Sequence, residues 1–140
     1  MAFKQLTPTL SVSPQLSEAD VAEAVKQGFH AIINNRPDGE EGGQISAAEM
    51  EKLAADRGMA FAHIPVLSGN VDDESVERMA AALARLDGPV LAYCRTGTRS
   101  ATLWALTQAG RAEPDAILSI ARDAGYDLTQ IKPRLKPPAA

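Results

Sequence analysis

The chain has 140 residues, a formal net charge of −4, 45% hydrophobic and 23% charged residues, a composition suited to one globular domain with a single sizeable core. The negative charge argues against a general nucleic-acid binder, and no apolar run approaches the ~18 residues of a membrane span. One cysteine and two histidines, His30 and His63, leave nothing for an internal disulfide or an ordinary thiolate- or His-rich metal cluster; no metal and no cofactor is expected.

Taken in order, residues 1–4 lead into no signal-peptide apolar stretch, so a cytoplasmic chain is expected. Residues 10–12 are short and bounded by Pro8 and Pro14, which predicts an edge strand. Ser17 caps a helix to about Gln27, which Gly28 ends. Residues 29–34 form the second strand, and the polar Gly/Pro stretch 35–43 is a surface loop. Ser46 with Glu49 three residues on is a capping box for a helix that stops near Gly58. A third strand covers 59–66. Asp72, Asp73 and Glu74 place negative charge at the start of a helix running to about Leu86, broken by Asp87-Gly88-Pro89. Residues 90–93 are a buried strand; helices follow to about Gln108, from Glu113 to Ala124, and briefly over 128–132. Strands alternating with helices predict a three-layer α/β/α fold with a mostly parallel central sheet, whose ligands bind beyond the carboxyl ends of the strands. Cys94, Arg36 and Ser68 all fall there. Residues 1–132 are predicted to be one domain, and 133–140, with three prolines, an extended tail.

The only cysteine stands where the central strand ends and a helix begins, in Tyr93-Cys94-Arg95-Thr96-Gly97-Thr98-Arg99-Ser100. The first N–H groups of a helix have no partner within it and converge on an anion, and the helix dipole favours negative charge. Helix N-termini and neighbouring arginines also favour thiolate over thiol, so Cys94 is expected to be a nucleophile in an anion-binding loop formed by Arg95, Thr96, Gly97, Thr98 and Ser100. Arg99 is expected to hold the anion through its planar fork; its plainer role would be to pin the loop to backbone carbonyls. The hydroxyls of Thr96, Thr98 and Ser100 are candidate donors to the sulfur. Arg36 and Asp38 are accessory candidates: Arg36 to extend the positive field or merely tie its loop to Glu40 or Asp38, and Asp38 as a proton donor or a Pro-Asp-Gly turn residue. His63, Trp104 and Met79 are expected to be structural.

This loop resembles the one shared by rhodanese sulfurtransferases and cysteine-dependent phosphatases. With Leu10-Ser11-Val12-Ser13-Pro14-Gln15, Ile32-Ile33-Asn34-Asn35-Arg36-Pro37-Asp38-Gly39-Glu40 and His63-Ile64-Pro65-Val66, most of the chain resembles the β-lactamase-hydrolase-like, phosphatase-like domain. That domain is a dual-specificity-phosphatase relative, also found fused to persulfide dioxygenases. The resemblance implies a cysteine-phosphatase or rhodanese-like fold and covalent chemistry on Cys94.

Spacing divides the two chemistries. The phosphatase pattern has five residues between Cys and Arg; here Arg99 is the fifth residue after Cys94, the rhodanese pattern Cys-Arg-x-Gly-x-Arg. The Asp that related phosphatases carry after the third strand is replaced by Leu67, Ser68 and Gly69. On these grounds the sequence predicts a sulfurtransferase that carries sulfane sulfur as a persulfide on Cys94, between a small donor (thiosulfate or a low-molecular-weight persulfide) and a thiol acceptor, and the family resemblance implies a functional link to a persulfide dioxygenase. A phosphatase acting through a phosphocysteine, and an anion-binding module without turnover, are the alternatives.

Overall fold

The computed structural model describes residues 3–139. Its sheet has five strands: β1 (Lys4–Thr7), β2 (Leu10–Ser13), β3 (Ala31–Asn34), β4 (Ala60–His63) and β5 (Val90–Tyr93), in the order β1-β2-β5-β3-β4. All neighbours are parallel except the β1–β2 pair. The helices are α1 (Glu18–Lys26), α2 (Ala47–Asp56), α3 (Asp73–Arg85), α4 (Thr98–Thr107) and α5 (Pro114–Asp123), with a closing 3-10 turn over Thr129–Arg134.

Every residue of β2, β3 and β5 is buried, because the sheet is covered on both faces, as parallel sheets must be. Along β5 the side chains alternate. Val90 and Ala92 join the core under α3, α4 and α5, whereas Leu91 and Tyr93 join the core under α1 and α2. Central helix α4 is buried from Arg99 to Leu106, so the loop that precedes it is anchored at both ends by core. Capping boxes at Ser17 with Asp20 and at Ser46 with Glu49, and the Asp72 carboxylate on Ser75 N–H, start α1, α2 and α3 where the sequence places them.

Three expectations are corrected. Residues 10–12 are not an edge: Lys4–Thr7 pairs antiparallel outside them, an amphipathic strand of which only Leu6 is fully buried and whose local pattern is too polar to stand out. The third strand is shorter, ending at His63: Ile64 N–H still reaches the Asn34 carbonyl, but Pro65 has no N–H to give and Val66 N–H bonds Asn35, past the end of β3. The tail does not begin at 133: the 3-10 turn reaches Arg134, Leu135 is buried in the main core, and Gly110 N–H donates to the Lys136 carbonyl at 2.7 Å. Among the described residues no helix is long and apolar enough to cross a membrane.

Candidate active site

Cys94 follows the last residue of β5 and is fully buried. Its N–H bonds the Ser13 carbonyl of the adjacent strand, and Gln15 N–H bonds the Arg95 carbonyl, so the loop's first turn is held to β2. The chain then reverses at Gly97, whose φ of +96° L-residues rarely adopt, and which is the N-cap of α4. This turn aims the Gly97 N–H at the sulfur, 3.1 Å from Sγ. The expected cradle donor is therefore a backbone amide.

The hydroxyls are placed differently from the expectation. Thr96 Oγ1 donates to Thr98 Oγ1 at 3.0 Å on the exposed rim, and Ser100 Oγ donates to Asn35 Oδ1 at 2.7 Å in the interior; none bonds the sulfur. Asn35 in turn donates from Nδ2 to the Ile64 carbonyl and from its backbone to the Tyr93 carbonyl. It thus joins the three strand ends behind the loop, a role the sequence reading did not assign.

Arg99 is 8% exposed. Nη1 donates to Glu40 Oε2 at 2.7 Å and to the Val66 carbonyl at 2.9 Å, and Nη2 donates to Glu40 Oε1 at 2.9 Å. The plainer role weighed for this residue is present, since it pins a backbone carbonyl, and the end of its fork meets the Glu40 carboxylate. A guanidinium has five N–H donors, and three are spent here. The two that remain, Nε–H and one on Nη2, form its other edge, a ready bidentate site for an oxyanion. Glu40 first, and Cys94 after it, hold the guanidinium protonated, with its pKa raised above the ordinary arginine value.

Glu40 escaped the sequence reading as a site residue. Its carboxylate bridges Arg99 and Arg36, and these guanidinium groups, Arg99 foremost, hold its pKa at about 2. Arg36, 1% exposed, spends its donors on Glu40, Glu41 and Gln15; it is the loop tie rather than a free anion ligand. Asp38 is removed from the list of acids: its Oδ1 accepts the Ala47 N–H at 2.8 Å, capping the first turn of α2. His63 Nε2 lies 3.0 Å from the Arg36 carbonyl, and Met79 and Trp104 are core, as expected of structural residues.

Over the loop opens a cleft of about 650 Å³ whose walls include Arg36, Glu40, Ser68, Arg95, Arg99 and Arg134. Its lining carries four guanidinium groups and one carboxylate in a chain whose net charge is −4, although Glu41 and Asp73 also pair with Arg36 and Arg134; the balance is positive and favours anions. Its far wall, Gln130, Ile131 and Arg134, comes from the C-terminal segment that the sequence reading treated as a minor helix and tail.

A parallel sheet carrying a cysteine at the tip of its central strand, with an N–H cradle and an arginine from the following helix, defines a cysteine-phosphatase-like α/β protein. Residues 2–111 match the model of the beta-lactamase hydrolase-like protein, phosphatase-like domain, and the chain belongs to that family. It is 34% identical over 130 residues to the beta-lactamase hydrolase-like protein of Agrobacterium fabrum, covering 91% of this chain but 30% of that protein; the chain thus spans less than a third of the length of such curated relatives. In structure it is similar to a candidate phosphatase of Neisseria meningitidis, with 36% identity, 96% of each chain covered and a TM-score of 0.87. The catalytic core of the PP-IP phosphatase Siw14 of S. cerevisiae shares the fold at 12% identity, with 94% and 81% covered and a TM-score of 0.70. These likenesses reverse the order of the two chemistries drawn from spacing: they favour the phosphatase class over the sulfurtransferase.

Proposed function

We propose that the chain is a cysteine-dependent phosphohydrolase for substrates whose leaving group departs without being protonated, such as phosphoanhydrides and aryl phosphates. The Cys94 sulfur attacks phosphorus, the P–O bond breaks with its electron pair going to the leaving oxygen, and a phosphocysteine forms. Water then attacks phosphorus, the S–P bond breaks, and inorganic phosphate and the thiolate result. The observation that carries the reading is the Arg99 guanidinium, clamped end-on by Glu40 with one edge left over beside Cys94; that edge and the Gly97 N–H suit the equatorial oxygens of the transition state. The restriction on leaving groups follows from the acids present. Glu40 is the one carboxyl lining the cleft among the described residues, and at about 2 it stays ionised, while Asp38 is spent on α2. The neighbour's description as a PP-IP phosphatase is in keeping with an anhydride substrate.

Sulfur transfer is the second reading, favoured by the position of Arg99 as the fifth residue after Cys94 and by the missing proton donor. One experiment separates them. Incubation with p-nitrophenyl phosphate and, in parallel, thiosulfate, followed by intact-mass analysis of quenched protein, should show a phosphoryl adduct and turnover that Cys94→Ser abolishes. A single added sulfur atom, removable by cyanide, with no phosphate released, would establish the second reading instead.

A further inference from the structure

Tyr126 lies beyond α5, outside the residues 2–111 matched by the family model. Its ring is held by the core, with its backbone N–H on the Ala121 carbonyl. From there Oη donates to the Thr96 carbonyl at 3.4 Å. The Thr96 carbonyl and the Gly97 N–H belong to one planar peptide unit and point in opposite directions. The Gly97 N–H is the group that donates to Cys94 Sγ at 3.1 Å. Tyr126 hydroxyl, peptide 96–97 and the sulfur therefore form one line of hydrogen bonds, with the phenol at the outer end and the thiol at the inner.

We propose that Tyr126 is a positioning residue that latches the Thr96–Gly97 peptide with its N–H toward Cys94. Without a partner on the carbonyl side, that peptide is free to rotate, because Gly97 has no Cβ and tolerates φ of either sign. Rotation by half a turn would aim the Thr96 carbonyl oxygen at the sulfur, turning the cradle's donor into an acceptor where negative charge must collect. The latch is tight in a second sense: a Cβ on Gly97 would overlap Oη, so phenol and glycine are fitted to one another. The phenol is also electrostatically aware of the site. Burial raises its pKa, and the charge of Cys94 raises it further.

The inference rests on the reading of the loop as an anion cradle, and amide spectra of the full chain test the two separately. In Tyr126→Phe the ring and its packing remain and only the hydroxyl is lost. The Gly97 amide resonance should shift away from its wild-type position, and its hydrogen exchange should quicken by about fivefold, the equivalent of one ordinary hydrogen bond, while amides of β3 and β5 keep their protection. Titration with inorganic phosphate should then show about fivefold weaker binding than wild type. An unchanged Gly97 amide in Tyr126→Phe would overturn the latch. Wild-type protein whose loop amides ignore phosphate would instead overturn the cradle, leaving the latch to be judged by the Gly97 amide alone.

Discussion

Glu40 accepts hydrogen bonds from both terminal nitrogens of Arg99, 59 residues further along the chain, at 2.7 and 2.9 Å. The pair fixes the plane of the guanidinium while leaving its second edge for a substrate oxyanion. Glu40→Gln keeps the shape but offers one acceptor oxygen and no charge, so Arg99 should lose its orientation without leaving the site. We expect kcat on aryl phosphate to fall ten- to a hundredfold, the scale of losing a positioned transition-state contact, with a smaller change in KM. A variant as active as wild type would show that Arg99 needs no clamp.

The same carboxylate has a signature in acid. Its folded-state value of about 2 lies below the ordinary 4.5, so its ion pairs add stability that is fully present above 4.5 and disappears as pH falls to about 2. Urea unfolding of wild type and Glu40→Gln at several pH values should give a constant difference in the upper range and a vanishing one at the acid end. A difference that does not depend on pH would assign the stabilisation to packing rather than charge.

Asp38 separates a cap from an acid. Its carboxylate satisfies the Ala47 N–H at the start of α2, and removing a capping side chain costs roughly 0.5–2 kcal/mol. Asp38→Ala should lower the unfolding free energy by that amount and leave kcat on p-nitrophenyl phosphate within about twofold. Loss of activity across the acid and neutral range, with the basic limb of the pH profile abolished, would restore Asp38 as the proton donor.

The buried Ser100–Asn35 hydrogen bond of 2.7 Å joins α4 to the end of β3. Ser100→Ala strands the Asn35 oxygen away from water, at about 1–3 kcal/mol. Denaturant unfolding should register the loss, and Asn35→Ala in the same background should add less than it does alone, because the two groups share one interaction. Strict additivity would mean that each is stabilised by something else.

Gly97 is required twice, by its φ of +96° and by the hydroxyl of Tyr126 packed against it. Gly97→Ala should cost about 1–3 kcal/mol from the backbone alone, and more from the overlap. Adding Tyr126→Ala should relieve the overlap and leave the backbone strain, so the double variant should lose less stability than the two single variants sum to, and regain no activity. Wild-type stability in Gly97→Ala would contradict the loop geometry.

What the amino-acid sequence determined by itself was local. The strand, glycine turn and helix around Cys94 are consecutive residues, so the convergence of N–H groups follows from their order alone. The caps at Ser17, Ser46 and Asp72 are likewise written within four residues, and the alternation of apolar strands with amphipathic helices implied the parallel sheet. Tertiary structure alone decided which charges meet. Arg99 finds Glu40 across 59 residues, Ser100 finds Asn35 across 65, and Tyr126 reaches the Thr96 carbonyl from a segment of weak local pattern. A carboxylate in a polar loop ahead of a helix looks the same in sequence whether it caps that helix or serves chemistry. Asp38 and Glu40, two positions apart in one polar loop, were sorted into helix cap and guanidinium clamp only when the sheet brought the ends of β3 and β5 side by side and left α2 beside one and Arg99 beside the other.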